Sequence, residues 1–150
     1  MLNCVFCKII AGEIPCFKVW EDDAFLAFLD INPNTKGMTL VIPKKHFDSN
    51  AFEMNNEDYS AFLIAVKKVD SLLRKKLNVE RVALVIEGMG VNHAHAKLYP
   101  LHGVGKEFTA MEAKEKVFYE EYPGFVTTLL GPQTDFNELK KLAEKIGEKN

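Results

Sequence analysis

The chain has 150 residues, 47% of them apolar and 27% charged, which suits one ordinary globular domain with an adequate core. A net charge of −2 leaves no basic footprint for DNA or RNA, so no nucleic-acid partner is expected. No apolar run approaches the roughly 20 residues of a membrane span, and the opening residues lack the charged-then-apolar order of a signal peptide, so no membrane partner is expected either.

In chain order, Cys4 to Ala11 is short and apolar and ends at Gly12. One or two helical turns would turn Val5, Phe6 and Ile9 inward. Phe17 to Glu21 and Ala24 to Leu29 are rich in strand formers, and Asp22-Asp23 between them reads as a tight hairpin. Asn32-Pro33-Asn34 is a turn. Met38 to Ile42 is a third strand, stopped by Pro43, which cannot donate to a ladder. Asn55 to Leu77 carries the clearest helix, since Tyr59, Phe62, Leu63, Val66, Val69, Leu73 and Leu77 follow a 3.6-residue period. Asn55 with Asp58 caps its start, and Arg74, Lys75 and Lys76 suit the negative end of its dipole.

Arg81 to Ile86 reads as a buried-type strand, after which Gly88 and Gly90 bend the chain. Val91 to Tyr99 alternates as a strand does, so His93, His95, Lys97 and Tyr99 share a face opposite Ala94, Ala96 and Leu98. Thr109 with Glu112 resembles a capping box for a short helix through about Tyr119. Phe125 to Leu130 is β-like and Gly131-Pro132 a turn. Asp135 with Glu138 caps a last amphipathic helix through Leu139, Leu142, Ala143 and Ile146. One long helix on hairpin-linked strands predicts an α+β fold with an antiparallel sheet. The tail is too regular to be disordered; lid, dimer contact and buttress all fit it.

Three constellations carry chemistry. Cys4-x-x-Cys7 has the spacing of half a tetrahedral zinc site. A redox pair and two small buried side chains are the competing readings, but no strand of a βαβ unit precedes the pair. Three cysteines without a secretion signal suggest no disulfide framework and fit a reducing cytoplasm. Cys16 reads as a plain buried or half-buried thiol. His93 and His95 stand roughly 6–7 Å apart along a strand, too far to share one small atom and close enough for two jobs side by side. Paired histidines are also often merely hydrogen-bonded. Asp30 could hold a sugar diol or cap the turn before Pro33.

Together the segments C-x-x-C-K-I-I-x-G-E-I-P, F-L-D-I-N-P, T-L-V-I-P-K-K-H and H-x-H-x-K-x-x-P resemble the histidine triad (HIT) family of nucleotide hydrolases and transferases, in its zinc-containing, HINT-like branch. The resemblance runs from Cys4 to about Leu101. It implies a HIT-like fold: about five antiparallel strands, one long helix, a short N-terminal helix and a C-terminal helical extension. It divides the chain into a HIT domain at 1–102 and an extension at 103–150 packed on that same domain. It implies a structural Zn²⁺ held by Cys4, Cys7, His46 and His93, a closed four-ligand set. The catalytic nucleophile would be His95, attacking the α-phosphate of a nucleotide conjugate to form a nucleotidyl-histidine.

The nucleoside site would comprise Val5, Phe6, Ile9, Phe28, Asp30 and Ile31, with Asp30 on the ribose and purines favoured by area. Two departures stand out. Lys97 occupies the third triad position, where the family usually has histidine; lysine still offers a cation to the phosphate, beside His95, but no neutral acceptor. The loop before the triad is short, leaving the family's asparagine and serine phosphate contacts without a clear counterpart, Asn92 being a weak substitute. The expected activity is cleavage at the α-phosphate of purine nucleoside 5′-phosphoramidates or related mononucleotide conjugates by a cytoplasmic homodimer. Dinucleoside polyphosphate hydrolysis is one alternative. The other is a zinc-stabilised nucleotide-binding protein with little turnover.

Overall fold

The computed structural model describes residues 3–107, 109–110 and 133–147. Helix α1 is Val5–Ile10, followed by strands β1 (Lys18–Glu21), β2 (Phe25–Leu29) and β3 (Thr39–Pro43). A short 3-10 turn at Ala51–Glu53 leads into α2 (Asn56–Leu77). Strands β4 (Val82–Val85) and β5 (Ala96–Pro100) follow, and α3 (Phe136–Ile146) comes last. The strands form one sheet in the order β1-β2-β3-β5-β4, antiparallel throughout. Strand β5 therefore slots between β3 and β4. That insertion carries the histidine stretch alongside the end of β3, whose next residues include His46.

Strands β2 and β3 are buried along their whole length because both faces of the sheet are covered. Phe25, Ala27, Leu29 and Val41 face α2 and α3, packing with Phe62, Val66, Val69 and Leu73 and with Leu139, Ala143 and Ile146. Leu26, Phe28, Leu40 and Ile42 face the other way and pack on Phe6 of α1. Burying an aliphatic side chain is worth about 1.5–3 kcal/mol, so this double cover anchors the sheet centre where the site is attached.

Helix α2 begins as its sequence dictates: the Asn55 side chain accepts from the Asp58 N–H. It ends on Asn78 in the left-handed conformation, at φ 53°. Pro43 closes β3 from inside the strand, paired with Phe25, where β5 no longer flanks it. Two expectations change. The strand at Arg81–Ile86 is not of the buried type: among the described residues β4 pairs only with β5, and Leu84 is 45% exposed. The histidine strand does not start at Val91, because the ladder to β3 ends at Ala96 and the ladder to β4 at Lys97. The alternation of sides still holds. Ala94, Ala96 and Leu98 join the α2 core, while His93 and His95 meet Phe6. The helix expected through Tyr119, the strand at 125–130 and the turn at 131–132 lie outside the described residues.

Candidate metal centre and active site

Three separated segments converge at the N-terminal end of the molecule. Helix α1 supplies Cys7, and Cys4 stands at its N-cap. His46 follows the end of β3, and His93 precedes β5. The ligand-type atoms of these four residues all lie within 4.8 Å of one another, so the cluster could hold a metal ion. His93 Nδ1 lies 3.5 Å from Cys4 Sγ, 3.6 Å from Cys7 Sγ and 3.2 Å from His46 Nδ1, and Cys7 Sγ lies 3.3 Å from His46 Nδ1. His93 Nε2–H donates to the Pro43 carbonyl at 2.8 Å, which leaves Nδ1 with its lone pair turned to the cluster. Burial holds the His93 pKa below the usual imidazole value, favouring that neutral form. Burial also pushes the Cys7 thiol up, and Cys4 beside it adds to the effect. Two neighbouring thiolates are thus disfavoured unless a cation compensates them.

The second centre begins one alanine later. His95 is 3% exposed, and its Nδ1–H donates to the His93 carbonyl at 2.8 Å. That bond fixes the tautomer and leaves Nε2 unprotonated. Burial lowers the His95 pKa, so the neutral, nucleophilic ring dominates near neutral pH. Phe6 meets both imidazoles edge-on, with ring centroids 5.8 Å from His93 and 5.4 Å from His95. The His95 ring stands in the wall of a cavity of about 340 Å³. Val5, Phe6, Ile9, Phe28, Asp30 and Ile31, all singled out from sequence, line it together with Lys97. A larger cavity of about 550 Å³ lies beyond Asp30, between the 29–38 segment and α3, with no histidine or cysteine in its walls among the described residues. Asp30 borders both, and one of its oxygens accepts from the Asn32 N–H at 2.8 Å. The carboxylate therefore caps its turn and also faces the His95 cavity.

The family model described as HIT domain matches residues 11–103 of this chain. The chain belongs to the HIT family. It is 46% identical over 102 residues to an uncharacterised HIT-like protein of Methanocaldococcus jannaschii, covering 65% of this chain and 78% of that one. It is 34% identical over 153 residues to the adenosine 5′-monophosphoramidase hnt1 of Schizosaccharomyces pombe, covering 99% and 98%. Among solved structures, a hypothetical histidine triad nucleotide-binding protein of Sulfolobus tokodaii superposes with a TM-score of 0.74 at 25% identity, covering 95% and 89%.

Within this HIT framework three residues take parts that the letters did not reveal. The Lys97 ammonium forms an ion pair with the Glu87 carboxylate, with side chains only 17% and 8% exposed. His95 feels the charges of Lys97, Glu87 and Asp30 together. Asn92, weighed above as a phosphate contact, is a strut instead: its Oδ1 accepts from the Ser49 N–H at 2.9 Å and its Nδ2 donates to Asp48 at 3.2 Å. Pro43 lends its carbonyl to His93. Cys16 lines the His95 cavity, and burial pushes its thiol up. His102 lies elsewhere, on the Lys36 carbonyl. The Glu87 signal was available only through strand register, since a lone glutamate after a strand otherwise reads as solvated.

Proposed function

We propose that this HIT protein cleaves the bond to the α-phosphate of purine nucleoside 5′-phosphoramidates or related mononucleotide conjugates. The observation that carries this reading is the buried His95 ring, held by the His93 carbonyl, in the wall of a largely apolar cavity that Asp30 also lines. The base lies against Phe6, Phe28, Ile9, Val5 and Ile31, and the Asp30 carboxylate accepts from the ribose diol. His95 Nε2 attacks phosphorus, the P–N bond breaks, and the amine leaves with a proton taken from water. Water then adds to the nucleotidyl-histidine, releasing the nucleoside monophosphate and restoring the ring. The Lys97 ammonium offsets charge on the phosphoryl oxygens. The activity in the fission yeast relative's name supports this substrate class, and the name of the Sulfolobus protein supports nucleotide binding.

The metal in this reading is Zn²⁺ in a structural role. Bond lengths of roughly 2.05 Å to imidazole and 2.3 Å to thiolate imply tetrahedral edges of about 3.3 Å between nitrogens and about 3.6 Å between nitrogen and sulfur. The measured separations of 3.2 Å and of 3.3 to 3.6 Å match that figure. Cys4, Cys7, His46 and His93 would fill all four positions. The ion would then fasten α1 to the ends of two strands and take no part in the chemistry. The three free cysteines fit a reducing cytoplasm. The β4 edge with exposed Leu84 fits a homodimer. The reading that the extension after residue 102 belongs to the same domain is supported by the burial of Leu139, Ala143 and Ile146 of α3 in its core.

A second reading, nucleotide binding with little turnover, is favoured by Lys97 standing at the third triad position already engaged by Glu87. Dinucleoside polyphosphate cleavage is a third. One assay separates them. Wild type and His95→Ala are given an adenosine phosphoramidate and a dinucleoside polyphosphate. Faster turnover of the phosphoramidate, absent from the variant, is the expected result. AMP binding without turnover in the wild type would overturn the enzymatic reading.

A further inference from the structure

We propose that Glu87 is a positioning residue for the phosphate subsite, holding the Lys97 ammonium in the wall beside His95. The pair, not Lys97 alone, then supplies the cation that an incoming phosphate meets. The proposal rests on the nucleotide reading above.

Register explains how Glu87 reaches this place. Strands β4 and β5 pair Val82 with Pro100, Ala83 with Tyr99, Leu84 with Leu98 and Val85 with Lys97. The ladder ends at that last pair, and Glu87, two residues beyond Val85, reaches back to Lys97 with its long side chain. Gly88 then turns the chain away at φ 71°, and a Cβ there would meet the Ser49 carbonyl oxygen at 2.7 Å. Glu87 is thus the last residue before a bend that the sequence cannot easily move.

Chemistry explains why the pairing matters. Lysine is a point charge on a flexible four-carbon stem, and an untethered one loses rotamer freedom each time it meets an anion. A mostly buried carboxylate removes that freedom in advance, which is preorganisation. The ammonium has three donors, so a carboxylate can take some and leave the rest for phosphoryl oxygens. Charge alone argues the opposite way: a carboxylate near an anion site weakens anion binding. The sign of the effect on phosphate affinity therefore separates positioning from plain repulsion.

The test is calorimetric titration of the full-length, metal-loaded protein with AMP and with adenosine. Wild type is compared with Glu87→Gln, Glu87→Asp, Lys97→Met and the double variant Glu87→Gln/Lys97→Met. Lys97→Met and Glu87→Gln are each expected to weaken AMP about ten-fold, with adenosine affinity held within about two-fold. The double variant should be no weaker than the weaker single one, because the two residues act as a unit. Glu87→Asp should recover part of the loss. AMP bound by Glu87→Gln as tightly as by wild type, or more tightly, would overturn the proposal. So would an equal loss of AMP and adenosine. If Glu87→Gln melts below the assay temperature, Glu87→Asp decides: about three-fold weaker AMP is expected from its shorter arm, and wild-type affinity overturns the proposal. A wild type that binds neither ligand removes the nucleotide reading and this one with it, whereas normal AMP binding with an unaffected Gln variant removes this one alone.

Discussion

The corner formed by Cys4, Cys7, His46 and His93 and the wall formed by Glu87, His95 and Lys97 share one short stretch of chain but are held by different physics. The corner joins three distant segments through sulfur and imidazole nitrogen atoms that all lie within 4.8 Å of one another. The wall is held by strand register, one buried ion pair and one backbone carbonyl. A corner of this kind tolerates little change of residue type, because only a few side chains can ligate. A wall of this kind depends on keeping its charges paired, as the Lys97–Glu87 pair does here.

The largest test of that contrast is His95→Ala. It is expected to lower turnover by roughly a thousand-fold or more while metal content and melting temperature stay near wild type. A large drop in melting temperature would show that the wall carries stability after all. Cys7→Ala acts first on metal content and melting temperature. Elemental analysis should find about one zinc per wild-type chain, and loss of a structural metal is expected to lower the melting temperature by roughly 10 °C or more. Zinc-free wild type with an unchanged melt would remove the metal proposal.

Gly88→Ala comes next, since its left-handed backbone and the Ser49 oxygen leave no room for a methyl group. A cost of about 2 kcal/mol in denaturant unfolding is expected, and a value near zero would show that the bend can shift. Asp30→Asn is the mildest. It should shrink the preference for ribose over deoxyribose in nucleotide affinity by about ten-fold, with stability little changed. Equal affinities of the wild type for the two sugars would take the diol role from Asp30.

Helix α2 was legible in the letters because each residue announces its role through its own chemistry, and the corner because the family resemblance added His46 and His93 to the cysteine pair. Asn55 caps, Phe62 and Val66 face inward, and two cysteines and two histidines can do few things together. Strand β4 was misjudged as buried because the apolar content of Val82–Val85 does not tell an edge from a centre. The start of β5 was misjudged because alternation persists in extended chain after the ladder partners have run out; Ala94 N–H bonds to the Phe47 carbonyl instead. Glu87 and Asn92 stayed hidden because a glutamate or an asparagine beside glycines suits solvent equally well. Their roles appear only once Lys97 and Ser49 are set beside them by long-range pairing.

His93 belongs to both regions at once: its imidazole joins the corner and its peptide oxygen receives the His95 proton. On the proposed reading, any event that drags this residue out of place, such as thiol oxidation or loss of the metal, would leave the His95 ring chemically intact yet wrongly aimed. Catalysis could then fail while the fold still stands, turning a fastening of the architecture into a sensor of the cell's thiol and metal supply. Activity that outlasts chelation of the ion, in protein still folded by circular dichroism, would separate the two regions.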